Sequence, residues 1–142
     1  MKQILIIEDD QNIAELQKDY LEMSGYGVTC AFDGEDGLAK AQQGGYDLII
    51  LDLMLPKKDG YEILKAISET KEVPVLIVSA KDEEMSKIRG FNLGADDYIT
   101  KPFSMGELVA RVNAHMKVYD KFKNTQPKNR LIQVRGLSID EA

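Results

Sequence analysis

The sequence predicts an α/β fold, a doubly wound parallel sheet of five strands with helices on both faces. Three observations predict it. Unbroken apolar runs at Ile4–Ile7, at Leu48–Leu51 and within residues 73–78 lack polar alternation, as strands buried on both faces do. Stretches with apolar residues at helical spacing separate these runs, so strand and helix alternate along the chain. Each run also ends in polar or charged residues, and in open α/β sheets ligand chemistry collects at the carboxyl ends of the strands.

In chain order, Ile4–Ile7 is the first strand and ends in Glu8, Asp9 and Asp10. Residues 11–24 place Ile13, Leu16, Tyr20 and Met23 at helical spacing, and Gly25 is a plausible stop. Residues 26–31 read as a shorter strand. Asp33 and Gly34 open a helix to about Gln43, which Gly44 and Gly45 break. Residues 46–52 are the third strand, and residues 56–60 are a loop. A helix over 61–70 turns Ile63, Leu64 and Ile67 inward. Residues 73–78 are the fourth strand, ended by Ser79 and Ala80. The helix from Asp82 to about Leu93 has a weaker apolar face of Met85, Ile88 and Phe91, and Gly94 ends it. Residues 97–100 are a short fifth strand closed by Lys101 and Pro102. Ser104 with Glu107 three residues on gives the capping-box pattern, and Leu108, Val112, Met116 and Tyr119 stripe the last helix.

The 142 residues fit one domain with a sizeable core, here residues 1–120. Residues 121–130 are polar and basic and read as a linker. Residues 131–139 alternate like a strand but stop at Ala142 with nothing to pair to, so the chain is expected to be cut inside a second domain. The net charge of -6 provides no general basic field for nucleic acid. Any DNA contact would come from a part beyond this chain or from a local basic patch. Cys30 is the only cysteine, which excludes an intrachain disulfide and a cysteine metal cluster and suits a reducing compartment. Cys30 reads as a small buried apolar residue, and Tyr20, Phe32 and Phe91 as packing groups. The N-terminal apolar segment is too short for a signal peptide, and nothing approaches the roughly 18 apolar residues of a membrane span. A cytoplasmic protein with no membrane partner is expected.

Asp52, directly after the third strand, admits two readings: a cap for the following loop, or a reactive carboxylate in a cleft. The other strand ends bear on the choice. The first presents Glu8 and Asp9, the fourth Ser79 and the fifth Lys101. With the first and third strands adjacent, three carboxylates share a small cleft and repel one another unless a cation joins them. A hard divalent ion with oxygen ligands resolves this, magnesium being usual where phosphate is involved. Acids, magnesium, a lysine and a hydroxyl suit a transferring phosphoryl group, and a nucleophilic carboxylate leads to an acyl phosphate.

These residues carry a resemblance. The chain resembles the receiver domain of bacterial two-component response regulators in Ile6-Ile-Glu-Asp-Asp10, in residues 47–56, in Asp59-Gly60, in Val78-Ser-Ala80 and in residues 94–103. The match runs over residues 1–120 in order and spacing. Residues 94–103, Gly-Ala-Asp-Asp-Tyr-Ile-Thr-Lys-Pro-Phe, are similar to the OmpR/PhoB subfamily, and residues 110–122 resemble VanR-type regulators. Residues 135–140 resemble the first strand of that subfamily's winged-helix DNA-binding domain, which would make residues 131–142 its truncated start.

The resemblance implies a flavodoxin-like fold of receiver topology and roles for the strand-end residues. Asp52 would accept a phosphoryl group from a phosphohistidine on a sensor histidine kinase. Asp9 and Asp52 would bind magnesium directly, Met54 would offer its backbone carbonyl, and Glu8, where the family often has Asp, would act through water. Lys101 would pair with a phosphoryl oxygen, with a cis bond before Pro102. Ser79, in a place more often held by Thr, would be drawn to the phosphoryl group, and Tyr98 would turn inward. The fourth helix, fifth strand and last helix would form a face that dimerises on phosphorylation and controls promoter binding by a C-terminal domain. Candidate pairs between copies are Lys87 with Glu107 and Asp97 with Arg111, although such residues also read as solvated surface charge, and exposed pairs contribute only about 0–1 kcal/mol each.

Met54 and Lys81 lie two residues beyond Asp52 and Ser79 and should flank the phosphoryl group. Methionine cannot orient an attacking water, so self-dephosphorylation is expected to take minutes to hours. Lys57 and Lys58 read as solvated loop charges or as recruiters of an acidic partner. His115 reads as a surface or interface residue. A magnesium-dependent phosphatase with an aspartyl-phosphate intermediate is the competing enzyme reading, but its second acid two residues on is here Met54. No P-loop and no G-x-G-x-x-G after a strand supports a nucleotide-binding domain. A phosphoacceptor is therefore expected rather than a turnover enzyme, and a stand-alone receiver working by protein contact is the remaining alternative.

Overall fold

A computed structural model describes residues 1–55, 59–70, 73–80 and 83–125. Five parallel strands, β1 (Gln3–Ile7), β2 (Gly27–Ala31), β3 (Leu48–Leu51), β4 (Val75–Ser79) and β5 (Asp97–Thr100), form one sheet in the order β2-β1-β3-β4-β5. Five helices connect or follow them: α1 (Gln11–Met23), α2 (Gly34–Gln43), α3 (Gly60–Thr70), α4 (Glu84–Asn92) and α5 (Met105–Thr125).

Alternation within the apolar runs splits the core in two. Ile4 and Ile6 of β1, with Leu48, Ile50, Leu76 and Val78, pack on one face with Ala14 and Leu21 of α1 and Leu108, Val112 and Met116 of α5. Leu5 and Ile7, with Ile49, Leu51 and Ile77, pack on the other with Ala41 of α2 and Ile63, Leu64 and Ile67 of α3. Helices therefore cover both faces, which is why the strands need no polar alternation. Gly90 brings α4 onto this second face, where an added Cβ would lie 2.9 Å from Ile77 Cδ1.

Several local expectations change. On α1 the sheet takes Ala14, Gln17 and Leu21, while Leu16, Tyr20 and Met23 are exposed. Neighbouring residues on a helix point about 100° apart, and the small Ala14 side chain admits the closer approach. Met85, Ile88 and Phe91 are likewise exposed, because the residue that meets the sheet is Gly90. Phe32 is exposed and Cys30 only half-buried. Ser79 lies inside β4 rather than after it. The helix α5 runs to Thr125, so residues 121–125, expected to open the linker, continue the helix. Lys57, Lys58, Lys81, Asp82 and everything expected beyond residue 125 lie outside the described residues.

Candidate functional site

Strand register gathers the site. Ile7 pairs with Leu51, so Glu8 and Asp52 leave the sheet side by side. The Asp52 N–H donates to the Ile7 carbonyl at 3.0 Å, and the Glu8 N–H to the Ala31 carbonyl at 3.0 Å. Ser79 pairs with Thr100, and the Lys101 N–H donates to the Ser79 carbonyl at 2.8 Å. The winding of the sheet reverses between β1 and β3, and a crevice at such a reversal is the usual ligand site.

Carboxylate oxygens of Glu8, Asp9 and Asp52 lie within 4.8 Å of one another. Glu8 and Asp52 are buried, and Asp9 is exposed. Lys101 Nζ donates to Glu8 Oε1 at 2.9 Å and to Asp52 Oδ2 at 3.2 Å. Asp52 Oδ1 accepts the Met54 N–H at 3.0 Å. One Asp52 oxygen thus caps the loop, and the other faces the Lys101 ammonium. Glu8 Oε2 accepts the Asp10 N–H at 3.1 Å, and Asp10 Oδ1 in turn caps α1 through the N–H groups of Asn12 and Ile13. The peptide bond between Lys101 and Pro102 is cis.

Burial pushes the Glu8 carboxyl up to about 7; Asp52 adds to the rise, and Lys101 and the Asp10 N–H oppose it. Burial would lower Lys101, but Glu8 and Asp52 together hold it above its ordinary value. The ammonium therefore stays charged near neutral pH, while Glu8 is partly protonated. Three carboxylates within reach of one ion, two of them buried, with the Lys101 ammonium against them, form a donor set suited to a hard divalent cation.

Residues 4–113 match the family described as the response regulator receiver domain. The chain belongs to that family. It is similar to the uncharacterized transcriptional regulatory protein YcbL of Bacillus subtilis, at 47% identity over 137 residues, covering 96% of this chain and 61% of YcbL. It is similar to the response regulator ArlR of Staphylococcus aureus, at 44% identity over 141 residues, covering 99% of this chain and 61% of ArlR. The chain thus spans about three fifths of these curated relatives, 61% of each. Among solved structures, the Thermotoga maritima response regulator DrrB, an OmpR/PhoB homolog, matches with a TM-score of 0.76 and 36% identity, over 83% of this chain and 54% of DrrB.

Other expected residues of the receiver occupy defined places. Ser79 and Tyr98 are buried, at 0% and 7% exposure, on adjacent strands. Tyr98 packs against Phe91, with ring centroids 6.5 Å apart, and Lys87 Nζ lies 6.0 Å from its ring centroid. The Met54 side chain is 55% exposed. Arg111 pairs with Asp97 at 2.8 Å and with Glu107 at 3.1 Å within this one chain. Ser104 Oγ caps α5 by accepting the Glu107 N–H at 3.0 Å, while the Glu107 carboxylate turns to Arg111 and leaves the capping box half made.

Sequence reasoning missed the partner of His115. Its Nε2 lies 3.0 Å from Asp97 Oδ2. The available signal was the spacing of Glu107, Arg111 and His115, each four residues apart on one helical line. That Arg111 and His115 both reach Asp97 of β5 required the tertiary fold.

Proposed function

We propose that this receiver takes a phosphoryl group onto Asp52 from a phosphohistidine on a sensor histidine kinase. In this reading the phosphorylated form dimerises through α4, β5 and α5 and controls a C-terminal DNA-binding domain, and so transcription, in the cytoplasm. The observation that carries it is the buried Asp52 carboxylate, 3.2 Å from the Lys101 ammonium and within 4.8 Å of the Glu8 and Asp9 oxygens. An Asp52 oxygen attacks phosphorus, the P–N bond to the donor imidazole breaks, and the imidazole leaves with the electron pair. Lys101, already beside Asp52 Oδ2, neutralises an oxygen of the arriving group.

Asp9 and Asp52 would hold magnesium directly, with the Met54 carbonyl, and Glu8 through water. When bound, the ion offsets charge on the phosphoryl oxygens. The Ser79 hydroxyl and Tyr98 relay the change, a role supported by their burial on neighbouring strands. Across a two-fold axis Asp97 and Arg111 exchange their present pairing for the same pairing between copies, and Lys87 meets Glu107. Such an exchange sets geometry more than affinity. Relatives longer than this chain, one of them named a transcriptional regulatory protein, support an output domain beyond it.

The test is exposure of wild type and Asp52→Asn to a small phosphodonor with magnesium, followed by mass spectrometry. Wild type gains one phosphoryl group and the variant none; equal uptake would sink the assignment. The exposed, apolar Met54 side chain cannot position water, so the phosphorylated form lasts minutes to hours. A lifetime of a few seconds with magnesium contradicts that part.

A further inference from the structure

Two side chains of α5, Arg111 and His115, converge on one carboxylate. Asp97 Oδ1 accepts Arg111 Nη1 at 2.8 Å and the Tyr98 N–H at 2.8 Å, and Oδ2 meets His115 Nε2 at 3.0 Å. A carboxylate only accepts, so His115 carries a proton on Nε2 in both its neutral and its cationic form. The contact survives either way, and what changes on protonation is the charge. With 26% of its side chain exposed, His115 is in exchange with solvent.

We propose that His115 makes dimerisation of this receiver pH-dependent, a proton on its ring weakening the dimer. The inference rests on the dimer face given above. The four charged groups assigned to that face, Lys87 and Arg111 against Asp97 and Glu107, sum to zero. A proton on His115 adds one uncompensated positive charge. A two-fold axis sets the face against its own copy, so the excess repeats on the other side and the two repel.

A second effect has the same sign. Cationic His115 competes with Arg111 for Asp97 and leaves that carboxylate less attractive to the other copy's Arg111. The exposed Met85, Ile88 and Phe91 on α4 would exclude water from the face, which makes an unpaired charge there more costly. From β5 the group facing His115 is Asp97; Arg111 and Glu107 precede it on α5, and Lys87 stands on α4 beside Tyr98. Elsewhere Asn113 of α5 accepts from the hydroxyl of Tyr26, directly before β2, and His115 has no other ionic or hydrogen-bond partner among the described residues. Since the dimer disfavours the proton, association tightens as pH rises through the imidazole range.

The experiment uses the 142-residue chain loaded with beryllofluoride and magnesium. Dimerisation is followed by analytical ultracentrifugation between about pH 6 and about pH 8, the range that brackets histidine titration. Fluorine NMR checks that the site is loaded at each pH. Wild type is compared with His115→Asn and His115→Lys, so that titration of Glu8 in the cleft is common to all. Relative to His115→Asn, the wild-type dimer should weaken roughly threefold to tenfold at the acid end. His115→Lys should be weak throughout. Parallel profiles for wild type and His115→Asn overturn this inference and leave the dimer reading intact. No dimer at any pH with the site loaded overturns both. Independently of any variant, NMR titration of the His115 ring should give a lower midpoint in the dimer than in the unloaded monomer, and an equal or higher midpoint overturns the proposal.

Discussion

Two ionic clusters stand on one sheet and differ in what surrounds them. At the strand ends Glu8 and Asp52 have side chains only 3% and 6% exposed, with Lys101 between them. On the β5–α5 edge Arg111 and Glu107 are 41% and 43% exposed around Asp97. Both clusters are built from carboxylates and cations. In the first, burial dominates and the Glu8 carboxyl rises to about 7. In the second, burial raises Asp97 too, but hydrogen bonds from His115, the Tyr98 N–H and Arg111 outweigh it and hold the carboxyl below its ordinary value. Water access separates the two: the dry cluster suits the phosphoryl chemistry proposed above, and the wet one the proposed contact between copies.

Removing the cation from the dry cluster should break the comparison most clearly. Lys101→Met leaves two buried carboxylates without their ammonium, and phosphoryl uptake from a small donor should fall by about a hundredfold, the usual cost of losing one preorganised electrostatic contact. Magnesium affinity by calorimetry should hold or rise, because a competing cation has gone. A parallel loss of magnesium binding would mean that Lys101 organises the metal ligands instead.

The loop that carries Asp52 also depends on a close backbone approach. A Cβ at Gly60 would collide with the backbone of Leu53, in the loop that carries Asp52 and Met54. Gly60→Ala should therefore destabilise the fold by about 1–3 kcal/mol as an overpacked site, read from urea unfolding. An unchanged midpoint would show that the loop can give way.

The smallest effect belongs to the wet cluster. The Asp97 carboxyl has a depressed pKa in the fold, so the stability it contributes is present above the unfolded value of about 4 and is lost as pH falls through the lower folded value. The acid fall in the urea midpoint should be shallower in Asp97→Asn. At neutral pH Arg111→Ala should change stability by no more than about 1 kcal/mol, as exposed pairs do. A larger loss would make this edge structural rather than free for a partner.

The buried strands, the helix starts at Asp33 and Ser104, and the strand-end carboxylates were legible because each depends on neighbours in sequence. The inward faces of α1 and α4 were not. Ile13, Leu16, Tyr20 and Met23 form a valid helical stripe, yet the sheet takes the line through Ala14 and Leu21. Periodicity marks a stripe, but the neighbour chooses the face, and a small residue wins where two elements must approach closely. The long α5 was missed for a related reason: no glycine or proline stops it at residue 120, and the polar composition that reads as linker is equally that of a solvated helix.

The sequence by itself determined the strand count, the helix starts at Asp33 and Ser104 and the set of charged groups at the strand ends, since local periodicity and turn chemistry specify these. Only the tertiary structure decided that Lys101 bridges Glu8 and Asp52, and that His115 and Arg111 share Asp97. The register of nonadjacent strands and the packing of helices on them bring together groups far apart in the chain, and no local pattern encodes that distance.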